Sequence, residues 1–133
     1  MAEVTVLAET EINPTESEEK VETAVCNVLG NFSMAIKPER KSSVLTAEAS
    51  GQDSLVKLRS LLRTDRIRDA ARKVLFRSIR GNNISFCLNK QVAFAGHISF
   101  SEETAESPLG PIRVTITSDN PRQLIDWLAE KTT

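Results

Sequence analysis

The residues best suited to a chemical task are the basic side chains between Lys57 and Arg80. This stretch holds nine lysines and arginines against two aspartates, a local net charge of +7, while the rest of the chain holds eight basic residues against sixteen acidic ones. Seven of the nine are arginines, whose planar guanidinium groups donate paired hydrogen bonds to phosphate oxygens. The overall charge of −1 therefore hides a separation of charge, and the basic stretch predicts a surface that attracts a polyanion.

We predict that this surface binds the phosphate backbone of RNA through one helix and the turns that follow it. The candidate residues are Arg63, Arg66, Arg68, Arg72, Lys73, Arg77, Arg80, Asn82 and Lys90. Binding of this kind reads backbone geometry more than base sequence. Phe76 projects between Arg72 and Arg80. It either stacks on a base or packs against a neighbouring strand or a second subunit, and packing is the more common outcome.

Catalytic and metal-binding groups are scarce. His97 is the only histidine, and in the hairpin predicted below it lies too far from Cys87 for a cysteine–histidine pair. Cys26 and Cys87 are widely spaced and do not make a closed zinc site with one histidine, so both are expected as reduced thiols. Neither phosphate-binding glycine motif is present, whether GxxxxGKS/T or GxGxxG after a strand.

An enzyme would need a pocket in which His97, Glu106, Ser107 and Arg113 converge. The acidic loop at residues 102–106 could hold a hard cation, but such loops are usually only solvated. We therefore expect a non-enzymatic protein without cofactor, metal or small-molecule substrate.

The length of 133 residues predicts a single domain spanning residues 1–133, because a chain of this size buries about two thirds of its unfolded surface without disulfides or metal. No run of about 18 uncharged apolar residues is present, and the start lacks the basic flank and apolar core of a signal peptide. With two reduced cysteines, these features favour a cytoplasmic protein outside the membrane.

The first half of the chain predicts a strand, a helix and a pair of short strands. Apolar and polar residues alternate from Glu3 to Ile12, which is typical of a strand with one buried face. A capping box at Thr15 predicts the start of a helix that ends at Gly30. Residues 33–36 and 43–49 are interpreted as two short strands, although a loop with one strand fits them nearly as well.

The basic stretch predicts two helices. A second capping box at Ser50 begins the first, and the hydrophobic phase shifts near Asp65, so a break is predicted there with a second helix from Asp65 to Arg80. No proline or glycine enforces the break, and one bent helix remains the alternative.

After the helices, alternating apolar residues predict a hairpin with the three-residue loop Asn89–Gln91. This register pairs Leu88 with Val92 and Phe86 with Phe94 on one face.

The chain then predicts a polar loop at residues 101–111, a strand at 112–117 and a last helix with Asn120 as N-cap and Pro121 at its first position. The order of elements predicts an α+β fold, a two-layer domain in which helices pack on one face of a largely antiparallel sheet.

Four blocks of sequence together resemble one known family. They are LLRTDRIRDAAR from Leu61, GNNISFCLNKQVAFAGHISF from Gly81, ESPLGPIRVTI from Glu106 and IDWLAEKT from Ile125. It is an archaeal family of conserved, uncharacterised proteins, often described as RNA-binding by prediction and related to a predicted exosome-associated group. The resemblance covers nearly the whole chain and implies an archaeal source and a fold like that of the fifth protein of the large ribosomal subunit. It favours RNA binding without settling it.

Two function classes remain beside RNA binding. In the first, the protein is an interaction or dimeric structural protein whose basic helix pairs with an acidic protein surface, either its own first helix or a twin subunit. In the second, it is an enzyme. If the guanidinium groups are buried against the protein's own carboxylates, the hypothesis of a polynucleotide ligand fails.

Overall fold

The first strand of the protein alternates buried and exposed residues along its whole length, as its sequence predicts. The structure is a computed structural model that describes residues 4–101 and 110–131. In chain order its elements are β1 (Val4–Ile12), α1 (Glu18–Leu29), β2 (Ser33–Pro38), β3 (Ser43–Ser50), a 3-10 turn (Gln52–Leu55), α2 (Val56–Thr64), α3 (Arg68–Arg77), β4 (Ile79–Arg80), β5 (Asn83–Asn89), α4 (Lys90–Phe94), β6 (Phe100–Ser101), β7 (Pro111–Ser118) and α5 (Pro121–Leu128).

The strands form one sheet in the order β2, β3, β1, β7, β5, β4, and β6 also pairs with β5. Every pairing among the described strands is antiparallel. The β2 strand therefore lies at one edge of the sheet, and β4 and β6 lie at the other.

A single apolar core lies between one face of this sheet and the helices. The central strands contribute Val6, Ile84 and Ile116, and the helices contribute Leu58 and Ile125, all of them almost completely buried. The opposite face of the sheet carries the exposed residues of the alternation. This arrangement confirms the predicted α+β fold with helices on one face of an antiparallel sheet.

The predicted pair of short strands is confirmed as β2 and β3, but both capping boxes are wrong. The Oγ of Ser17, not of Thr15, accepts the hydrogen bond that begins α1. The residues before Ser17 form a separate turn, in which the Glu16 amide donates to the Asn13 carbonyl and the Asn13 amide donates to the Glu16 carboxylate. The second box fails because Ser50 is still paired in β3, and the chain then turns through a 3-10 helix before α2 begins.

The predicted hairpin after Asn89 is also wrong. The Asn89 side chain accepts a hydrogen bond from the Val92 amide at 3.0 Å and caps the short helix α4. Asn27 of α1 fixes this helix by donating to the Ala93 and Phe94 carbonyls. The strand that returns beside β5 is instead β6.

The last helix agrees with its sequence signals. Asn120 accepts a hydrogen bond from the Gln123 amide at 3.2 Å, and Pro121 occupies the first helical position. The predicted last strand is confirmed as β7, which is longer than predicted. Of the predicted polar loop, residues 102–109 lie outside the described part of the chain.

Candidate nucleic-acid interface

The bend between α2 and α3 sets the direction of the basic side chains. Arg66 has a φ of 57°, in the left-handed region. Its N–H donates to the Arg63 carbonyl, and the Ile67 N–H donates to the Leu62 carbonyl, both at 3.1 Å. This is the hydrogen-bond pattern of the Schellman motif, which ends a helix. The predicted break is therefore confirmed, and a motif built on arginine makes it without glycine or proline.

Asp65 anchors this bend to the loop before β6. One carboxylate oxygen lies 3.1 Å from His97 Nδ1, and the other accepts a hydrogen bond from the Ile98 amide at 3.0 Å. Burial raises the pKa of Asp65, but the hydrogen bonds from Ile98 and His97 outweigh it, so the pKa lies below its ordinary value. His97 thus binds a structural carboxylate, a pairing that no sequence signal indicates.

Four basic side chains lie exposed on α3 and just beyond its two ends, and we call them the basic ridge. They are Arg66, Lys73, Arg77 and Arg80. Lys73 and Arg77 are four residues apart and share one face of α3, whereas Arg66 precedes the helix and Arg80 follows it. Among residues 4–101 and 110–131, no ion pair with a carboxylate is found for any of the four.

Arg72 belongs to the packing of the protein rather than to the ridge. Its side chain is only 14% exposed and lies 2.9 Å from the Asp126 carboxylate of α5. It also donates to the Ala129 carbonyl at 2.9 Å. These contacts use the guanidinium to hold α3 against α5, so Arg72 is not one of the exposed basic side chains.

The arginines at the α2 end are partly neutralised by one carboxylate. Arg59 donates to Glu130 and to the Trp127 carbonyl, and Arg63 lies 3.8 Å from Glu130. Hydrogen bonding and charge from Arg59, followed by the charges of Arg63 and Arg68, lower the pKa of Glu130. Arg63 and Arg68 therefore remain on the surface, but the negative charge of Glu130 weakens the positive potential around them.

The partners of these arginines lie in α5 and just after it. The alternative hypothesis predicts that the basic helix pairs with the acidic first helix, and no such pair is found in the described ranges.

Phe76 packs and does not offer a free stacking face. It is half-buried against the core. The Arg72 and Arg122 guanidinium groups lie 5.0 and 5.8 Å from its ring centroid. Two cations thus occupy the space that a base would need, and packing against α5 replaces the neighbouring strand that the sequence suggests.

Lys90 is buried, so it does not lie on the predicted binding surface. Its side chain is 4% exposed, and its ammonium lies 3.1 Å from Glu16 and donates to the Glu11 carbonyl at 2.6 Å. The structure therefore corrects the expected position of Lys90, which lies inside the protein and not among the exposed basic residues.

Asn82 stays exposed in the turn between β4 and β5, next to Arg80 at one end of the ridge. Its backbone carbonyl accepts a hydrogen bond from the Ser118 amide at 2.9 Å, which fixes the turn against the end of β7. The Arg80 guanidinium is itself oriented by the carbonyls of Arg77 and Ile79, at 3.1 and 2.8 Å.

The described residues offer little support for the enzymatic alternative. Neither cysteine forms a disulfide bond, and His97 pairs with Asp65. In the part of the chain that the structure describes, no group of three or more His, Cys, Asp or Glu residues could hold a metal ion. Glu106 and Ser107, with the rest of the acidic loop, lie outside these residues. No helix within the described ranges is long and apolar enough to span a membrane.

Comparison with known proteins gives consistent matches over nearly the whole chain. A family model described as RNA binding matches residues 5–118. A UPF0201 protein from Sulfurisphaera tokodaii is 44% identical over 127 residues, which cover 96% of this chain and 88% of the relative.

Solved structures agree with these sequence matches. The crystal structure of a UPF0201 protein from Methanococcus jannaschii matches with a TM-score of 0.86 at 28% identity, over 97% of this chain and 95% of that one. Another crystal structure, of a protein described as an uncharacterized UPF0201 protein, matches with a TM-score of 0.81 at 33% identity, over 96% and 94%. The matches confirm the family resemblance that the four sequence blocks predict.

Proposed function

The chain belongs to the UPF0201 family, and from this premise we propose that it is a non-enzymatic RNA-binding protein whose basic ridge contacts the phosphate backbone. The description of the matching family model supports RNA as the partner. The observation that carries the proposal is the contrast between two sets of basic residues on the same helices. Arg59 and Arg72 bind carboxylates and carbonyls of the protein, whereas the side chains of the ridge are exposed.

The geometry of the ridge favours backbone contacts over base readout. Its cations are spaced along and beyond one helix, and the aromatic ring of that helix, Phe76, is covered by guanidinium groups. Arginine and lysine at successive turns can follow a row of phosphates without reading bases. Arg63, Arg68 and Asn82 flank the ridge and extend it at its two ends. The likeness to the fifth large-subunit ribosomal protein stays a prediction.

The test is a pair of triple charge reversals that change the net charge equally at opposite edges of the molecule. One variant combines Arg66→Glu, Lys73→Glu and Arg77→Glu on the ridge. The control combines Lys37→Glu, Arg40→Glu and Lys41→Glu in and after β2, the far edge strand. Arg72 is left unchanged because its loss would disturb the contact with α5.

We expect the ridge variant to bind single-stranded and hairpin RNA about a hundredfold more weakly, because three phosphate contacts are lost, and the control to stay within about threefold of the native protein. Fluorescence anisotropy across a salt series measures both affinity and the number of phosphates contacted. Equal losses in the two variants would mean that only total charge matters, and the ridge proposal would then be wrong.

Light scattering on the same variants separates RNA from a protein partner. If the native protein is a dimer that the ridge variant breaks while RNA affinity is unchanged, the ridge is a protein interface and the RNA proposal fails. We also propose that the protein is cytoplasmic, because a reducing compartment keeps cysteines such as these out of disulfide bonds.

A further inference from the structure

A notch opens at the β4 and β6 edge of the sheet. The β4 strand pairs with β5 at Asn83 and Ile84, and β6 pairs with it at Cys87 and Leu88. Neither of these described strands reaches Ser85, which lies between them. The gap is part of a cavity of about 650 Å³ that runs along the end of α3. Cavities of a few hundred to about a thousand Å³ are the size that small ligands occupy.

Three arginines from three different elements line this notch. They are Arg77 at the end of α3, Arg80 in β4 and Arg113 in β7. Arg80 is held in place by hydrogen bonds to the Arg77 and Ile79 carbonyls. Glu9 on β1 lies directly opposite Arg113 in the sheet. The three arginines thus bring three forked donors to the lining of one cavity.

The notch also holds a polar atom without a partner. The Oγ of Ser101 is buried, and among the residues that the structure describes no hydrogen-bond partner is found for it. Buried hydroxyl groups are normally hydrogen-bonded, so an orphaned one beside a cavity indicates a missing acceptor. Ser101 lies in β6, directly opposite Cys87 across the sheet edge. A ligand oxygen in the notch would satisfy this hydroxyl after a simple rotation of the side chain.

The remaining wall of the notch is apolar. Phe100 and Val74 line it, and Phe86 braces the Phe100 ring in an edge-to-face contact with the centroids 5.7 Å apart. An aromatic ring fixed in this way can stack on a nucleobase of any type. The cavity thus joins an aromatic wall for a base to a cluster of guanidinium groups for a phosphate.

We propose that the notch binds the phosphorylated terminal nucleotide of an RNA chain, with its phosphomonoester on Arg77, Arg80 and Arg113 and its base against Phe100. The proposal rests on the proposed RNA-binding function. A terminal phosphomonoester carries close to two negative charges near neutral pH, whereas each internal phosphodiester carries one, so three arginines around one cavity favour the terminal group. Arg77 and Arg80 belong to both the basic ridge and the notch, and an RNA strand that follows the ridge therefore ends there.

The experiment compares short RNA oligonucleotides of one sequence that carry a 5′-phosphate, a 3′-phosphate or neither. Anisotropy titrations use the native protein and the variants Arg113→Gln, Ser101→Ala and Arg66→Gln. The first two change the notch, and the third changes the ridge outside the notch. Inorganic phosphate and a nucleoside monophosphate serve as competitors.

For the native protein we expect one phosphorylated oligonucleotide to bind about tenfold more tightly than the unphosphorylated one, because the terminal phosphate adds charge and engages Arg113, which is not part of the ridge. Comparison of the 5′-phosphorylated and 3′-phosphorylated oligonucleotides identifies the end that is bound. Arg113→Gln should remove most of this preference and Ser101→Ala should reduce it by about threefold, since each removes a donor. Arg66→Gln should weaken all three oligonucleotides alike.

Equal binding of the three oligonucleotides to the native protein, with Arg66→Gln still weakening all of them, would overturn the notch and leave the proposed function standing. Absence of binding to every oligonucleotide would instead overturn the proposed function. Competition by inorganic phosphate as strong as that by the nucleoside monophosphate would show that the base is not bound, and the nucleotide part of the proposal would fail.

Discussion

The Lys90 ammonium lies 3.1 Å from the Glu16 carboxylate, and the two side chains keep only 4% and 11% of their surface exposed. The same Glu16 oxygen accepts hydrogen bonds from the Asn13 amide and side chain, both at 2.9 Å. Lys90 also donates to the Glu11 carbonyl at the end of β1. One ion pair therefore joins the end of β1, the turn before α1 and the start of α4.

Replacing Lys90 should destabilise the protein without changing its RNA affinity. Lys90→Met leaves Glu16 buried without its cation, and removing one partner of a buried pair costs about 3 kcal/mol. The matched control is Lys20→Met, an exposed lysine of α1, for which a change within about 0.5 kcal/mol is expected. Urea unfolding and RNA titration on the same samples check both claims. Loss of RNA affinity in correctly folded Lys90→Met would return this residue to the binding surface.

The same pair predicts a specific acid sensitivity. Burial raises the pKa of Glu16, but the hydrogen bonds from Asn13 and Lys90 outweigh it, so the folded-state pKa lies below its ordinary value of 4.5. A depressed carboxylate pKa stabilises the fold above the unfolded pKa, and this stabilisation is lost as the pH falls through the folded pKa. Glu16→Gln should therefore be less stable at neutral pH and show a flatter loss of stability below about pH 4.5. Parallel pH profiles for the variant and the native protein would contradict this.

The sequence indicates elements well where a pattern is local and poorly where a distant partner decides. β1 and β7 alternate without interruption because one face is buried, and both are predicted. The segment after Asn89 alternates as well, yet it forms α4, because the Asn89 cap and the Lys90 pairing with Glu16 favour a helix. No pattern near residue 90 shows that a carboxylate far along the chain is its neighbour.

The candidate site, like the fold, can be predicted only in part from the sequence. The concentration of arginine between residues 57 and 80 is visible in the sequence, and the break between the two helices follows from the phase of their apolar residues. The sequence does not show that Arg72 meets Asp126 or that Arg113 and Arg77 line one cavity, since tertiary packing creates both relationships. One local signal was available: Leu62 and Ile67 are the apolar pair that accompanies a Schellman motif, although an arginine occupies the position usual for glycine.

Arg66→Gly should separate stability from binding at this bend. Glycine adopts a positive φ without the steric penalty of a side chain, so a gain of about 0.5–1 kcal/mol in unfolding free energy is expected. RNA affinity should fall by about threefold, because one phosphate contact is lost. Lys73→Gly, in the middle of α3, is the control: it also removes one phosphate contact but should lose about 1 kcal/mol in stability. Denaturant midpoints with equal slopes measure the two changes, and a loss of stability in Arg66→Gly would exclude the left-handed bend.

Arg72 and Lys73 are neighbours on α3 and should behave in opposite ways. Arg72→Met removes the hydrogen bond to the Ala129 carbonyl, the contact with Asp126 and the cation over Phe76, so a loss of about 1–2 kcal/mol in stability is expected. Lys73 is exposed on the ridge, and Lys73→Met should change stability by less than about 0.5 kcal/mol.

For RNA binding the relative size of the two effects reverses. Lys73→Met should reduce the slope of log affinity against log salt by about 0.7, the contribution of one phosphate contact in a single strand. Arg72→Met should leave this slope unchanged because its guanidinium already binds the protein. If Arg72→Met reduced the slope and Lys73→Met did not, RNA would approach α3 from the α5 side and the basic ridge would not be the binding surface.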